Sequence, residues 1–440
     1  MIAYVGLLEL YKTAPDVSSV RALEGEHITS SDRPGRSRHV HSGKEHLMSE
    51  SGSSSTDGPS RRPVKGRMLV TVVATVATLA VSILVVLFWQ SDSRETSSSP
   101  GGSTTDKGSA PAARSAATAP FGTQIYVQAT DHVAAVEALA VTELNGRPVA
   151  VTGGDDRILR MWDLATGKQV SALPTGHATL ISTIAVTKLN GHPIAITGST
   201  DMTVRVWDLA TGKQIGEPLT GHVNGVGVVA VTRLKGRQVI VSVDVDKTVR
   251  VWDLITGRQV GAPFKGHSDA VWSIAVTSLN GRPVILLGTV DGTVQVRDLA
   301  TGKQVGTPLA GHDDALRSVT TARVDGRTVV VTGGDKAVRV WDLATGKLLR
   351  APFEGHTNVI WSAVMTHLDD RPVVVSASHD MTVRVWDLAT GKQIGAPFVH
   401  SDVVRTMTVA RLDGLPVVIS TDRSSGLQAW SLSPPYPPIG

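Results

Sequence analysis

Short apolar runs alternate with polar turns along most of this chain, and the stretch from Gly355 to Lys392 shows the pattern in full. After His356 an apolar run covers Val359 to Met365 and stops at the turn Asp369-Asp370. A second run, Val373 to Ser376, stops at His379-Asp380. A third, Thr382 to Trp386, alternates with period two, and Ala389-Thr390-Gly391-Lys392 turns the chain into a fourth. Runs of this length, bounded by turn residues, predict four antiparallel β-strands. The first turn is Asn-Gly in three copies (Asn145-Gly146, Asn190-Gly191, Asn280-Gly281) and Asp-Gly in two (Asp325-Gly326, Asp413-Gly414). Such pairs accept the positive φ that two-residue hairpins need. A small sheet of this kind cannot bury both faces alone, so copies must stack.

The unit recurs seven times. Its opening histidines are His132, His177, His222, His267, His312, His356 and His400, and its closing positions are Trp162, Trp207, Trp252, Arg297, Trp341, Trp386 and Trp430. Each pair is separated by about 30 residues, and successive pairs by about 45, a period that marks a radial β-repeat array. From Gly-His to Trp-Asp, residues 121–440 resemble the WD40 repeat family. The resemblance implies an all-β, seven-bladed β-propeller. The ends of the chain agree with closure of a ring. Residues 124–130, QIYVQAT, read as an isolated fourth strand, and the chain finishes on a third strand, Leu427 to Leu432. The early strand is expected to complete the last blade and remove an open sheet edge.

In this family a buried hydrogen-bond chain joins His, Ser/Thr, Asp and Trp within each blade. Carried over by position, four repeats hold every member: His132, Thr152, Asp156 and Trp162; His177, Thr197, Asp201 and Trp207; His222, Ser242, Asp246 and Trp252; His356, Ser376, Asp380 and Trp386. An unpaired buried polar group costs about 1–3 kcal/mol, which gives each member a structural purpose. Repeat four has Leu287 and Arg297 in place of the hydroxyl and the indole. Repeat five lacks one residue between Thr332 and Asp335, and repeat seven is remodelled from Ser420 to Ser425. Those three blades are expected to be looser.

The segments ahead of the repeats differ in kind. Residues 1–67 are rich in Ser, Gly, Arg and His, and are expected to form a mostly disordered cytoplasmic tail. Residues 68–89 carry no charge and are long enough, as a single transmembrane helix, to cross a hydrocarbon core of about 30 Å. Arg61, Arg62, Lys65 and Arg67 precede this run, whereas Asp92, Arg94 and Glu95 follow it. That bias predicts a cytoplasmic N-terminus and an extracytoplasmic propeller. A cleaved signal peptide is the rival reading, but the run is long for one and no A-x-A site closes it. Residues 90–120, rich in Ser, Thr, Gly, Ala and Pro, read as a flexible linker.

Composition removes several function classes. There is no cysteine, so disulfides and thiolate metal sites are excluded. The formal charge is +4, and residues 1–67 contribute +2 of it, with ten Lys/Arg against eight Asp/Glu. The pI near 9.3 is therefore not the signature of a basic propeller face, and no nucleic-acid partner is expected. Ser, His and Asp recur together at blade-building positions, which suits structure better than a catalytic triad with one exposed nucleophile. The Thr-Gly-Lys turns, such as Thr166-Gly167-Lys168, lack the glycine spacing of a P-loop. One histidine per blade does not converge on a metal. His192 and His379 read as solvated turn residues, and the acid pairs Asp155-Asp156 and Asp313-Asp314 as solvated loops. No catalytic residue, cofactor or metal is expected.

Differences among near-identical repeats then become informative. Of nine tryptophans, six lie on the closing strand, Trp89 lies at the membrane boundary, and two share one register five residues after the opening His. That register reads Glu137, Ser182, Gly227, Trp272, Arg317, Trp361 and Arg405. The resemblance places it where the innermost strand begins, at the top rim of the central channel. Trp and Arg are the types most enriched at binding hot spots. Trp272, Arg317, Trp361 and Arg405, with Glu137, are therefore the expected site for a protein or peptide partner bearing an acidic or aromatic feature. The competing reading is that these side chains fill space between blades. Together these features predict a monomeric, non-enzymatic, membrane-anchored scaffold or ligand-sensing platform of bacterial type. The alternatives are a cytoplasmic signalling scaffold, or an enzyme or carbohydrate-binding module. The last would need acids converging on the channel, where the register offers only Glu137.

Overall fold

The computed structural model describes residues 119–129, 132, 135–245, 247–265, 270–422 and 426–437. The tail at 1–67, the apolar run at 68–89 and the linker up to residue 118 lie outside the described residues. Among the described residues no helix is long and apolar enough to cross a membrane.

Among the described residues, twenty-eight strands form seven antiparallel sheets. The first blade is β2 (Val136–Leu144), β3 (Arg147–Gly154), β4 (Ile158–Asp163) and β5 (Gln169–Pro174). Next come β6 (Ile181–Leu189), β7 (His192–Ser199) and β8 (Val204–Asp208), whose fourth strand is reduced to the bridges Val204–Leu219 and Trp207–Gln214. The third blade is β9 (Val226–Leu234), β10 (Arg237–Asp244), β11 (Thr248–Asp253) and β12 (Phe264–Lys265). The fourth is β13 (Val271–Leu279), β14 (Arg282–Thr289), β15 (Thr293–Asp298) and β16 (Leu309–Ala310). In the fifth, β17 (Ser318–Val324), β18 (Arg327–Gly333) and β19 (Ala337–Asp342) are followed by β20 (Lys347–Leu348) and β21 (Phe353–Glu354). The sixth is β22 (Ile360–Leu368), β23 (Arg371–Ser378), β24 (Thr382–Asp387) and β25 (Phe398–Val399). The seventh joins β26 (Val404–Leu412), β27 (Leu415–Asp422) and β28 (Gly426–Ser431) to the chain's first strand, β1 (Gln124–Ala129).

The ring closes on its inner side. β2, β6, β9, β13, β17, β22 and β26 each touch the next, and β26 touches β2. β1 pairs antiparallel with β28, so the first and last strands share one sheet. Ala119, placed in the linker by composition, is buried in the same cluster as Tyr126, Trp162 and Leu427. Its carbonyl accepts the Ser431 hydroxyl at 2.7 Å. Covering the last sheet edge in this way removes a template for unwanted pairing.

Burial explains the sequence pattern of each blade. The second strand is sandwiched between neighbouring blades, so Val373, Val374 and Val375 are all fully buried and the run is continuously apolar. Clusters therefore span blades, with Val329, Val331 and Val338 of the fifth packing on Ile360, Val374 and Trp386 of the sixth. The innermost strands have neighbours on one edge only, and hydroxyls from adjacent blades engage their backbone. Ser273 Oγ accepts from Val319 N at 2.8 Å, and Ser318 Oγ accepts from Ala363 N at 2.9 Å.

Two faces follow from the topology. Turns between first and second strands share one face with the turns after each Trp-Asp, since β10 runs back from its hairpin so that Val239 lies opposite Asp253. The opening histidines and the turns between second and third strands lie on the other. Hairpins on the first face use the left-handed region as expected, with φ of 52° at Asn145 and 76° at Gly146.

Candidate interaction site at the channel mouth

The buried polar chains shape the ground on which the site stands. In the first blade Trp162 Nε1 donates to Thr152 Oγ1 at 2.8 Å, and His132 lies 2.9 Å from both Thr152 Oγ1 and Asp156. The second blade repeats this with Trp207, Thr197, His177 and Asp201 at 3.0, 2.8 and 2.8 Å. In the sixth, Trp386, Ser376, His356 and Asp380 are joined by three contacts of 2.8 Å. One tautomer satisfies all of it. Nδ1–H donates to the carboxylate, the hydroxyl donates to Nε2, and the hydroxyl oxygen accepts the indole N–H.

The other four blades vary on this arrangement. In the third, His222 Nε2 meets Ser242 at 2.7 Å, but its Nδ1 meets Asp244 Oδ2 at 2.7 Å. Asp246, assigned there from spacing, lies outside the described residues. Asp244 occupies the strand end beside the imidazole. The fifth blade keeps a full set despite its missing residue. His312 contacts Thr332 at 2.7 Å and Asp335 at 3.0 Å, and Trp341 donates to Thr332 at 2.9 Å. The seventh is weaker, with His400 at 3.3 Å from Ser420 and 3.7 Å from Asp422, and a buried Trp430 Nε1 that finds no acceptor. In the fourth, Leu287 is fully buried and Arg297 donates to the Gly302 carbonyl at 3.1 Å.

Electrostatics follow from these contacts. Burial pushes the Asp156 carboxyl up, but bonds from His132 and Arg160 outweigh it and hold the pKa down at about 2. Asp201, Asp335 and Asp380 are lowered in the same manner, against their own desolvation. His312 is lowered, chiefly by burial.

The register singled out by its tryptophans has a backbone cause. Val271 pairs with Thr289 and Ser273 with Gly288, which leaves Trp272 as the extra residue of a β-bulge. Glu137, Ser182, Gly227, Trp361 and Arg405 are the extra residues at the same place in their strands. Arg317 immediately precedes β17 and donates its N–H to the Gly333 carbonyl at 3.0 Å. A bulge re-aims a side chain away from the ordinary alternation of the strand. Here it brings side chains of successive innermost strands against one another around the channel mouth.

All five residues named from the sequence meet in one arc. The Arg317 guanidinium carbon stands 3.6 Å from the Trp272 ring centroid and 4.6 Å from that of Trp361. Arg405 follows at 5.9 Å from the Trp361 centroid and forms an ion pair with Glu137. That pair is nearly sealed, with 8% and 1% side-chain exposure. His379 extends the arc, stacking on Trp361 at 4.6 Å with a 17° interplanar angle. It is therefore not the solvated turn residue expected from sequence, because the bulge turns Trp361 toward its loop. His192 is exposed at the start of β7.

The other side of the mouth is small. Ser182 donates to the Val226 carbonyl at 2.5 Å, bridging two blades. Gly227 faces open space, where an added Cβ would meet only the Val243 carbonyl oxygen at 3.9 Å. Trp272 Nε1, Trp361 Nε1 and Arg405 Nε are buried without an acceptor. Among the described residues no group of three or more His, Asp or Glu is arranged to hold a metal.

Residues 167–208, 212–253, 302–342 and 346–387 match the family described as WD domain, G-beta repeat. These four stretches are WD40 repeats, and together with the seven-bladed ring they support the WD40 family for this chain. Propellers of this family are typically protein-interaction scaffolds and generally not enzymes. The matches fall on the second, third, fifth and sixth blades, and the remainder includes the fourth and seventh, whose polar chains are broken or weak. No curated protein matches the chain.

Proposed function

We propose that this protein is a non-enzymatic scaffold or ligand-sensing platform that engages a protein or peptide partner at the channel mouth. Residues 68–89 would anchor it in the membrane, with the propeller on the outer side. The observation that carries the interaction is the convergence of Trp272, Arg317, Trp361, Arg405 and Glu137 from four consecutive blades and the next across the closure. Trp272 Nε1, Trp361 Nε1 and Arg405 Nε are buried in this arc without an acceptor. The histidines of the polar chains support a non-catalytic reading, since those at His132, His177, His222 and His356 have no exposed side-chain surface.

The anchoring reading is supported by the uncharged run at 68–89 and by the four cations that precede it. Protease added to intact cells tests it, with a C-terminal tag as readout. Loss of the tag without lysis is expected. Survival of the tag until lysis overturns the orientation and returns the protein to the cytoplasmic scaffolds. The interaction is tested separately, by comparing partners crosslinked to wild type and to a folded variant carrying Trp272→Ala, Arg317→Ala, Trp361→Ala and Arg405→Ala. An unchanged set of partners would rule out the arc as the contact.

A further inference from the structure

Seven sister repeats supply an internal standard for every position, and the third blade departs from it twice on the hairpin face. The left-handed position of the hairpin turn is Asn145, Asn190, Asn280, Asp325, Asp369 and Asp413 in six blades, and Lys235 at φ 50° in the third. Asn and Asp tolerate this region because their short side chains bond locally, an option Lys lacks. The next turn on this face has Ala165, Ala210, Ala300, Ala344 and Ala389, but Ile255 in the third blade. Ile255 is 72% exposed, more than any other exposed large apolar side chain of the described residues.

Between the third and fourth blades this face opens into a groove of about 420 Å³. Leu234, Val260 and Leu299 form its walls, with Lys235 and Arg237 at its lip. Arg258, Arg282 and Lys303, in the adjoining turns, are exposed. The carboxylates in these turns are engaged locally. Asp253 accepts from Ile255 N at 3.1 Å and Thr256 N at 2.9 Å, and Asp298 from Ala300 N at 3.1 Å and Thr301 N at 2.8 Å. Arg237 reaches Asp253 only at 3.9 Å, with 76% of its side chain exposed. In the fifth to seventh blades the hairpin turn carries Asp325, Asp369 and Asp413 where the third has Lys235, so the third blade, with Arg233, Lys235 and Arg237, has the most cationic hairpin. The modest net charge of the chain conceals a cationic sector.

We propose that this groove docks an acidic linear peptide bearing one aliphatic or aromatic side chain. That side chain lies against Leu234, Val260 and Leu299, while flanking Asp or Glu residues meet Lys235 and Arg237. Apolar walls with a cationic lip complement this chemistry, and a concave site receives a side chain where a bilayer surface cannot follow. The site lies on the face opposite the channel mouth and stands independently of it.

The test uses the purified full-length chain and a fluorescein-labelled peptide Asp-Glu-Phe-Glu-Asp, read by polarisation. Expected results are saturable binding, and a loss of about tenfold or more when Phe becomes Ala or when the acids become Lys. The variant Lys235→Asn with Arg237→Leu takes its residues from sister repeats, so it should fold with a similar Tm while losing about tenfold or more in affinity. Unaltered binding by the Lys235→Asn, Arg237→Leu variant overturns the proposal, as does equal binding of the peptide lacking Phe. Sedimentation with phosphatidylserine vesicles that this variant abolishes, without peptide binding, would assign the surface to lipid instead.

Discussion

The guanidinium of Arg317, from the fifth blade, lies between the indoles of Trp272 and Trp361, from the fourth and sixth, at 3.6 and 4.6 Å. A cation over an aromatic face contributes about 0.5–1 kcal/mol when exposed and about 2 when desolvated. The sandwich therefore holds three blades in register while presenting aromatic edges at the channel. A double-mutant cycle on Trp272→Leu and Arg317→Leu should give a coupling of about 1 kcal/mol in chemical denaturation. Simple additivity would mean that the stack is only a neighbourhood of side chains.

Arg405 and Glu137 join the seventh blade to the first, across the joint that β1 also closes. Glu137 is almost fully enclosed, so Arg405→Ala leaves a buried carboxylate unpaired. The expected loss is about 3–5 kcal/mol in thermal or denaturant unfolding. Combining Arg405→Met with Glu137→Gln removes both charges and should recover much of that loss.

Hydroxyl truncation should separate tight blades from loose ones. Ser376 serves both Trp386 Nε1 and His356 Nε2 at 2.8 Å, so Ser376→Ala orphans two groups. Ser420 reaches only His400, at 3.3 Å, while Trp430 Nε1 is already without an acceptor. Ser376→Ala should cost about 1–3 kcal/mol and Ser420→Ala clearly less, as read from their Tm values.

Acid should weaken the ring in a defined order. Asp156 is held at about 2 in the fold against 3.8 ordinarily, because its contacts with His132 and Arg160 outweigh burial. Asp201, Asp335 and Asp380 are also lowered. As pH falls below about 4, the unfolded chain binds protons that the fold refuses, so stability is lost down to the folded values. His312, lowered by burial, adds a smaller loss that starts below its ordinary 6.5. A Tm measured against pH should fall steeply between about pH 4 and 2, and Asp156→Asn should flatten part of that slope.

The fold was legible because the repeats state it seven times, and the pairing of β1 with β28 was readable from two unmatched strands at the chain ends. The channel register was legible for the same reason, since near-identical copies expose the positions that differ. Its cause was not, because a bulge is a property of strand pairing and leaves no residue signature at Trp272 or Trp361. The contact of Asp244 with His222 depended on where β10 ends, which spacing alone does not resolve. His379 read as a turn residue because its stacking partner is distant in sequence and reaches it only through that bulge. Lys235 was invisible to net charge, since the acids of the chain nearly balance its cations.

The measurement that tests the central claim most directly is site-specific photocrosslinking from position 227 in intact cells. Gly227 shares the register of the arc and stands on its open side, where an added Cβ meets only the Val243 carbonyl oxygen at 3.9 Å. A defined protein or peptide adduct, lost when Trp361→Ala and Arg317→Ala are added to a folded variant, is the predicted result. No adduct at 227, or one that survives those substitutions, would contradict an interaction site at the channel mouth.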